Sequence, residues 1–155
     1  MIGVIRRPNW KKSSKHIVSL QFKVTARRGG GNDGHQYSQF AFYDDNNNRY
    51  SWPSGTSWSD NTGHYENDPI GNDKMLLKST PGILTLNLPA GYYIDSSIYT
   101  KYGWNTANDF PDRDPISWEF YISEDGINYS LVDTRTSQTI TTDRYTLAFR
   151  DTYSQ

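Results

Sequence analysis

Ile17-Val18-Ser19-Leu20-Gln21-Phe22-Lys23-Val24 puts Val18, Leu20, Phe22 and Val24 at every second position, with Ser19, Gln21 and Lys23 between them. Side chains of an extended chain point alternately to opposite faces, so this stretch reads as a strand with one apolar face. The same period returns along the chain. Ile83 to Leu88 alternates; Ile98, Thr100, Tyr102 and Trp104 form a second series; Trp118, Phe120 and Ile122 a third. Tyr37 to Tyr43 reads as a strand with Phe40 and Phe42 on one face, and Tyr145, Leu147 and Phe149 mark a last strand. Asp125-Gly126 is a hairpin signal before Tyr129 to Val132. Asp44 to Asn48 is a turn, and Arg49-Tyr50-Ser51-Trp52 leaves it. No segment holds a helical period over three turns. Seven or eight short strands between turn clusters predict an all-β chain, a single antiparallel β-sandwich or jelly roll.

The composition agrees with that reading. Only 34% of the 155 residues are hydrophobic, yet 15% are aromatic: five Trp, twelve Tyr and six Phe. Aromatic rings fit pleated surfaces, and the twelve Gly with many Asn and Asp supply turns. Disordered chains are poor in aromatics and high in net charge, whereas this chain carries -1. The length suits one domain of about 100–200 residues. No apolar run approaches the roughly 20 residues that span a bilayer, so no membrane span is expected. The absence of Cys removes disulfides and thiolate chemistry.

The charge is unevenly placed. Eight basic residues occur by Arg28, among them Arg6, Arg7, Lys11 and Lys12, and no acid precedes Asp33. The other eight basic residues share the remaining chain with all seventeen acids. Residues 1–14 therefore read as a basic leader and residues 15–155 as the sandwich domain. The leader is either a solvated arm or a docking segment for an acidic partner, with Arg6, Arg7, Lys11 and Lys12 making the contacts. Nucleic acid is disfavoured, because no nucleic-acid-binding module accompanies the basic stretch. The N-terminus has no apolar signal region, so synthesis in a cytoplasm without export by a signal peptide is expected.

One string is more specific than the rest. Thr106-Ala107-Asn108-Asp109-Phe110-Pro111-Asp112-Arg113-Asp114-Pro115-Ile116-Ser117-Trp118 is followed by Ser123-Glu124-Asp125-Gly126-Ile127-Asn128-Tyr129. Asn108, Asp109 and Asp112 suit Asx-type turns, and Pro111 and Pro115 fix φ. Arg113, between Asp112 and Asp114, is placed to hold the loop by charge-assisted hydrogen bonds. Trp118 is expected in the core. The string resembles a branch of the discoidin-like, galactose-binding-like β-sandwich modules (coagulation factor type C-like), with Phe22–Arg28 and Gln39–Asp44 similar to its first strands. The resemblance spans about Lys15 to Phe149 and implies a galactose-binding-domain-like sandwich that binds glycans without catalysis. Asn108, Asp109, Arg113, Asp114 and Trp118 are its structural signature. Related modules hold a structural Ca²⁺ with a loop matching Asn67 to Met75. Here oxygen ligands are present but that pattern is not intact, so no cofactor is expected.

Other chemistry is weakly signalled. His16 is expected in a strand, His35 and His64 in loops, with no metal-ligand spacing among them. There is no G-x-S-x-G, no P-loop and no dinucleotide fingerprint. Pro53 to Asp73 reads as a long irregular segment, and such loops are often functional. Trp52, Trp58 and Tyr65 lie in or beside it, with His35 and Arg28 in another loop. These five are the candidate ligand-binding residues, since sugars take an aromatic face with polar side chains around it. The same rings would also serve as a satellite core. Two functions follow. One is a non-catalytic glycan-binding or adhesion module, displayed on an assembly such as a phage virion. The other is a purely structural decoration or tail-associated subunit, whose partners are neighbouring subunits.

Overall fold

The computed structural model describes Gly3 and residues 14–154. Arg6, Arg7, Lys11 and Lys12 of the leader lie outside the described residues. Twelve strands occur among the described residues, and no α-helix does. They are β1 (His16–Ile17), β2 (Ser19–Arg27), β3 (His35–Tyr43), β4 (Ser57–Asp60), β5 (His64–Asn67) and β6 (Met75–Leu77). The second half holds β7 (Gly82–Asn87), β8 (Ile94–Asp95), β9 (Lys101–Asn105), β10 (Pro115–Ser123), β11 (Ser130–Arg135) and β12 (Leu147–Thr152).

Two five-stranded antiparallel sheets pack as a sandwich, in the orders β11-β10-β2-β7-β4 and β12-β9-β3-β6-β5, and β1 pairs with β8 beside them. The period-2 pattern sets the register. Leu20 stands between Ile122 and Leu86, and Phe22 between Phe120 and Leu84, so apolar rows run across the first sheet. The rows meet rings of the second sheet. Phe22 packs on Tyr37 and Phe40 at 5.0 and 5.1 Å, Phe120 stacks on Tyr102 at 4.0 Å, and Trp118 meets Trp104 edge-on at 5.5 Å. Edge-to-face and offset rings are favoured by their quadrupoles, so a core rich in aromatics needs few aliphatic residues.

Three strand expectations shift in detail. Pro53 to Asp73 is not irregular throughout: it contains β4 and β5, each four residues long and each at a sheet edge. β9 begins at Lys101 rather than at Ile98, because Asp95 first closes a turn. The Asp95 carboxylate accepts from the Ser97 amide and its carbonyl from Ile98 and Tyr99, which leaves Ile98 54% exposed. β12 begins at Leu147, after Tyr145 has taken a left-handed φ of 48°.

β3 carries a bulge. Gln39 sits at φ 47°, and the register with β9 slips between Ser38 and Ala41. A bulge re-aims the side chains that follow it. Tyr37 and Phe40, three residues apart, therefore both reach Phe22, and Phe40 and Phe42 share the core as expected. In β9, Gly103 lets β12 close in: a Cβ there would stand 2.1 Å from the Phe149 carbonyl.

Candidate functional site

The Thr106–Trp118 string folds as a sealed clamp. The Asp114 carboxylate is fully buried. Arg28 Nη1 donates to its Oδ2 at 2.8 Å, and Arg144 donates to both oxygens at 3.0 and 2.6 Å. Arg28 also donates to the carbonyls of Pro111 and Ile140, and Arg144 to that of Asp109. Charge-assisted, forked contacts of this kind are strong and fix geometry. Lys74 Nζ and Gln36 Nε2 hold the Asp109 side chain at 2.7 and 3.1 Å. Burial pushes the Asp109 pKa up, but these two partners outweigh it and hold the carboxyl below its usual range. The clamp is therefore made by Arg28 and Arg144, far away in sequence, and not by Arg113. Arg113 lies over the exposed ring of Phe110 at 4.2 Å. Asn108 is exposed. Trp118 is buried as expected, its indole N–H donating to Tyr102 Oη at 2.8 Å, which in turn donates to Asp133 at 2.7 Å.

Arg28, His35, Trp58 and Tyr65 occupy different settings in the sandwich. Arg28 is engaged in the clamp. His35 is not in a loop but opens β3 and is fully buried. Its Nδ1 lies 3.0 Å from Thr80 Oγ1, whose proton goes to the Asp33 carbonyl, so Nδ1 carries the hydrogen. Burial pushes the His35 pKa down to about 3. Trp58, in β4, stands opposite Leu86 and packs against the core, while its indole N–H donates to Asn67 Oδ1 of β5 at 2.7 Å. It closes the open edge between the two sheets. Tyr65 in β5 is 69% exposed with Lys78 over its ring. His64 is likewise in a strand, its Nδ1 2.6 Å from Asp60 Oδ2.

Trp52 has a different setting. It lines an open cleft of about 460 Å³ with Arg49, Tyr50, Ser51, Ile70 and Gly71. Tyr50 and Trp52 are two residues apart and both line the cleft. Their rings meet edge-to-face at 5.5 Å and 86°. Each wall is pinned to the sandwich. The Tyr50 amide donates to the Phe42 carbonyl, and Trp52 Nε1 donates to the Phe40 carbonyl at 3.1 Å. Arg49 donates to the carbonyl and side-chain oxygen of Gln39, both presented by the β3 bulge. The opposite wall is the turn Asp68–Asp73. Asp68 accepts from the amides of Gly71 and Asp73 at 2.8 and 3.0 Å, and a Cβ at Gly71 would lie 2.5 Å from that carboxylate. This turn falls within the stretch where calcium was considered. Asp68 serves there as a backbone acceptor, and no cluster of three or more His, Asp or Glu able to hold a metal occurs among the described residues.

Arg49 and Tyr50 were missed as site residues. The signal was present in the Tyr50–Trp52 spacing, which puts two rings two residues apart directly after a turn. Comparisons with protein-family models, curated proteins and solved structures found no match to this chain. No helix among the described residues is long and apolar enough to cross a membrane.

Proposed function

We propose that this chain is a non-catalytic recognition module of the discoidin-like type, that it binds glycan in the cleft of Arg49, Tyr50, Trp52 and Ile70, and that it is displayed on a larger assembly such as a virion. The cleft itself carries the reading. Its volume of about 460 Å³ lies within the size of small-ligand sites, roughly 300–1,000 Å³. Two rings offer apolar area, while a guanidinium and two hydroxyl side chains supply polar contacts. This pairing of aromatic area with a few polar groups suits a sugar, which has C–H faces and a hydroxyl rim. The lining contains no carboxylate or imidazole that could serve as a general acid or base, which favours binding over turnover. A glycan array, followed by calorimetry on its hits, tests the reading. Binding should fall at least about tenfold in Tyr50→Ala and persist in Trp58→Ala once the latter is corrected for stability. A broad array without hits would remove the proposal.

The assembly part rests on the basic leader. Deletion of residues 1–14 should abolish incorporation into the particle while leaving the isolated domain folded. Loss of incorporation together with a silent glycan array would favour the purely structural subunit.

A further inference from the structure

The aromatic wall of the cleft continues past its rim. Tyr50 meets Trp52 on one side and, on the other, the ring of Tyr99 at 5.1 Å and 82°. Burial raises the Tyr50 pKa, with the Tyr99 and Tyr92 hydroxyls adding to it. Trp52, Tyr50 and Tyr99 are half-buried, so each shows part of a ring and rests the remainder on the core.

Each ring is fixed through its own residue. The Tyr99 amide donates to the Asp95 carbonyl at 2.9 Å, and the Tyr99 carbonyl accepts from Tyr153 Oη at 2.6 Å. Rings held in place before binding lose little conformational entropy on contact, which raises affinity. Trp52 has no ionisable group and Tyr50 and Tyr99 present phenol rings, so the band beyond Arg49 is amphipathic rather than ionic. It alternates apolar ring with hydroxyl, as a chain of neutral sugars alternates C–H face with hydroxyl rim.

We infer that the cleft is one end of an extended site running over Trp52, Tyr50 and Tyr99, and that its ligand is the interior of a linear neutral oligosaccharide rather than a single terminal sugar. This inference rests on the glycan reading of the cleft. The cleft holds the first sugar beside Trp52 and Arg49, and the following sugars lie across Tyr50 and Tyr99.

Calorimetry with mono-, di-, tri- and tetrasaccharide ladders of gluco-, manno-, xylo- and galacto-oligosaccharides tests the inference. At least one ladder should gain about tenfold or more in affinity from monosaccharide to tetrasaccharide. Tyr99→Ala should remove that gain. Tyr99→Leu, which keeps an apolar side chain on the core without a ring, provides a second variant should Tyr99→Ala fail to fold. Affinity independent of length, or a tetrasaccharide gain that survives both variants, overturns the extended site while leaving the glycan reading intact. Binding of acidic ladders alone, or of an extended peptide in place of any sugar, also overturns it. Silence of every ladder and of the broad array overturns both.

Discussion

Around Asp114 the chain brings opposite charges together and closes over them; around Tyr50 and Trp52 it brings rings together and leaves them open. Both regions are built from short loops at strand ends, and both contain arginine. In the first, Arg28 and Arg144 are committed to a fully buried carboxylate and to loop carbonyls. In the second, Arg49 is tied only to Gln39, beside a cleft open to solvent. A residue type alone does not mark a binding site. What separates the two regions is burial: the Asp114 carboxylate is closed off from solvent, whereas Arg49 is exposed and Tyr50 and Trp52 show part of each ring.

The contrast is broken most forcefully at Asp114. Removing one member of a buried ionic cluster leaves its partners without a counter-charge, so Asp114→Ala should cost on the order of 3 kcal/mol or more in urea unfolding. Glycan binding at the distant cleft should survive in whatever fraction stays folded. A loss of only a few tenths of a kcal/mol would mean that the clamp does not hold the loops.

The next effect depends on pH. The His35 imidazole has a pKa of about 3 in the folded chain and its ordinary 6.5 when unfolded. Between those values the unfolded state binds the extra proton, so stability is complete above about 6.5 and declines as pH falls, by up to about 1.4 kcal/mol per pH unit. Asp44, Asp95, Asp109, Asp125 and Asp151 titrate below 3.8 in the folded chain and weaken it only in stronger acid. Melting curves between pH 7 and 5 should slope with pH in the native sequence and flatten in His35→Gln. An unchanged slope would exclude burial of a neutral imidazole.

Smaller effects are expected at the sandwich edge. Trp58→Ala opens the seam that its ring covers and removes the contact with Asn67, and it should lower stability by about 1–3 kcal/mol without altering the Tyr50 cleft. Tyr65→Ala, at an exposed ring, should stay within about 0.5 kcal/mol in stability and leave binding unchanged. Loss of glycan binding in Tyr65→Ala would move the site from the cleft to the edge strand β5.

The sandwich was legible wherever the alternation was long enough to express a period. Leu20, Phe22 and Val24, then Leu84 and Leu86, then Trp118, Phe120 and Ile122, all point inward as read. β4 and β5 were hidden because four residues of an edge strand, with polar side chains facing out, carry no visible period. The Asp114 clamp was hidden for another reason. Arg28 and Arg144 lie 86 and 30 residues from Asp114, so only the folded topology unites them, and the neighbouring Arg113 looked like the natural partner. At the candidate site Trp52 was legible as an aromatic residue beside a loop. Tyr50 was passed over although it lies two residues from Trp52, and Tyr99 is joined to them only by the return of β9 next to β3.

The central claim is that Tyr50 and Trp52 form the recognition surface and that the exposed ring of Tyr65 does not. One glycan array probed in parallel with the native chain, Tyr50→Ala and Tyr65→Ala, each verified as folded by its melting curve, tests it most directly. The account predicts a defined set of glycan signals that persists in Tyr65→Ala and disappears in Tyr50→Ala. Signals of equal strength in all three proteins, or no signal for the native chain, would contradict it.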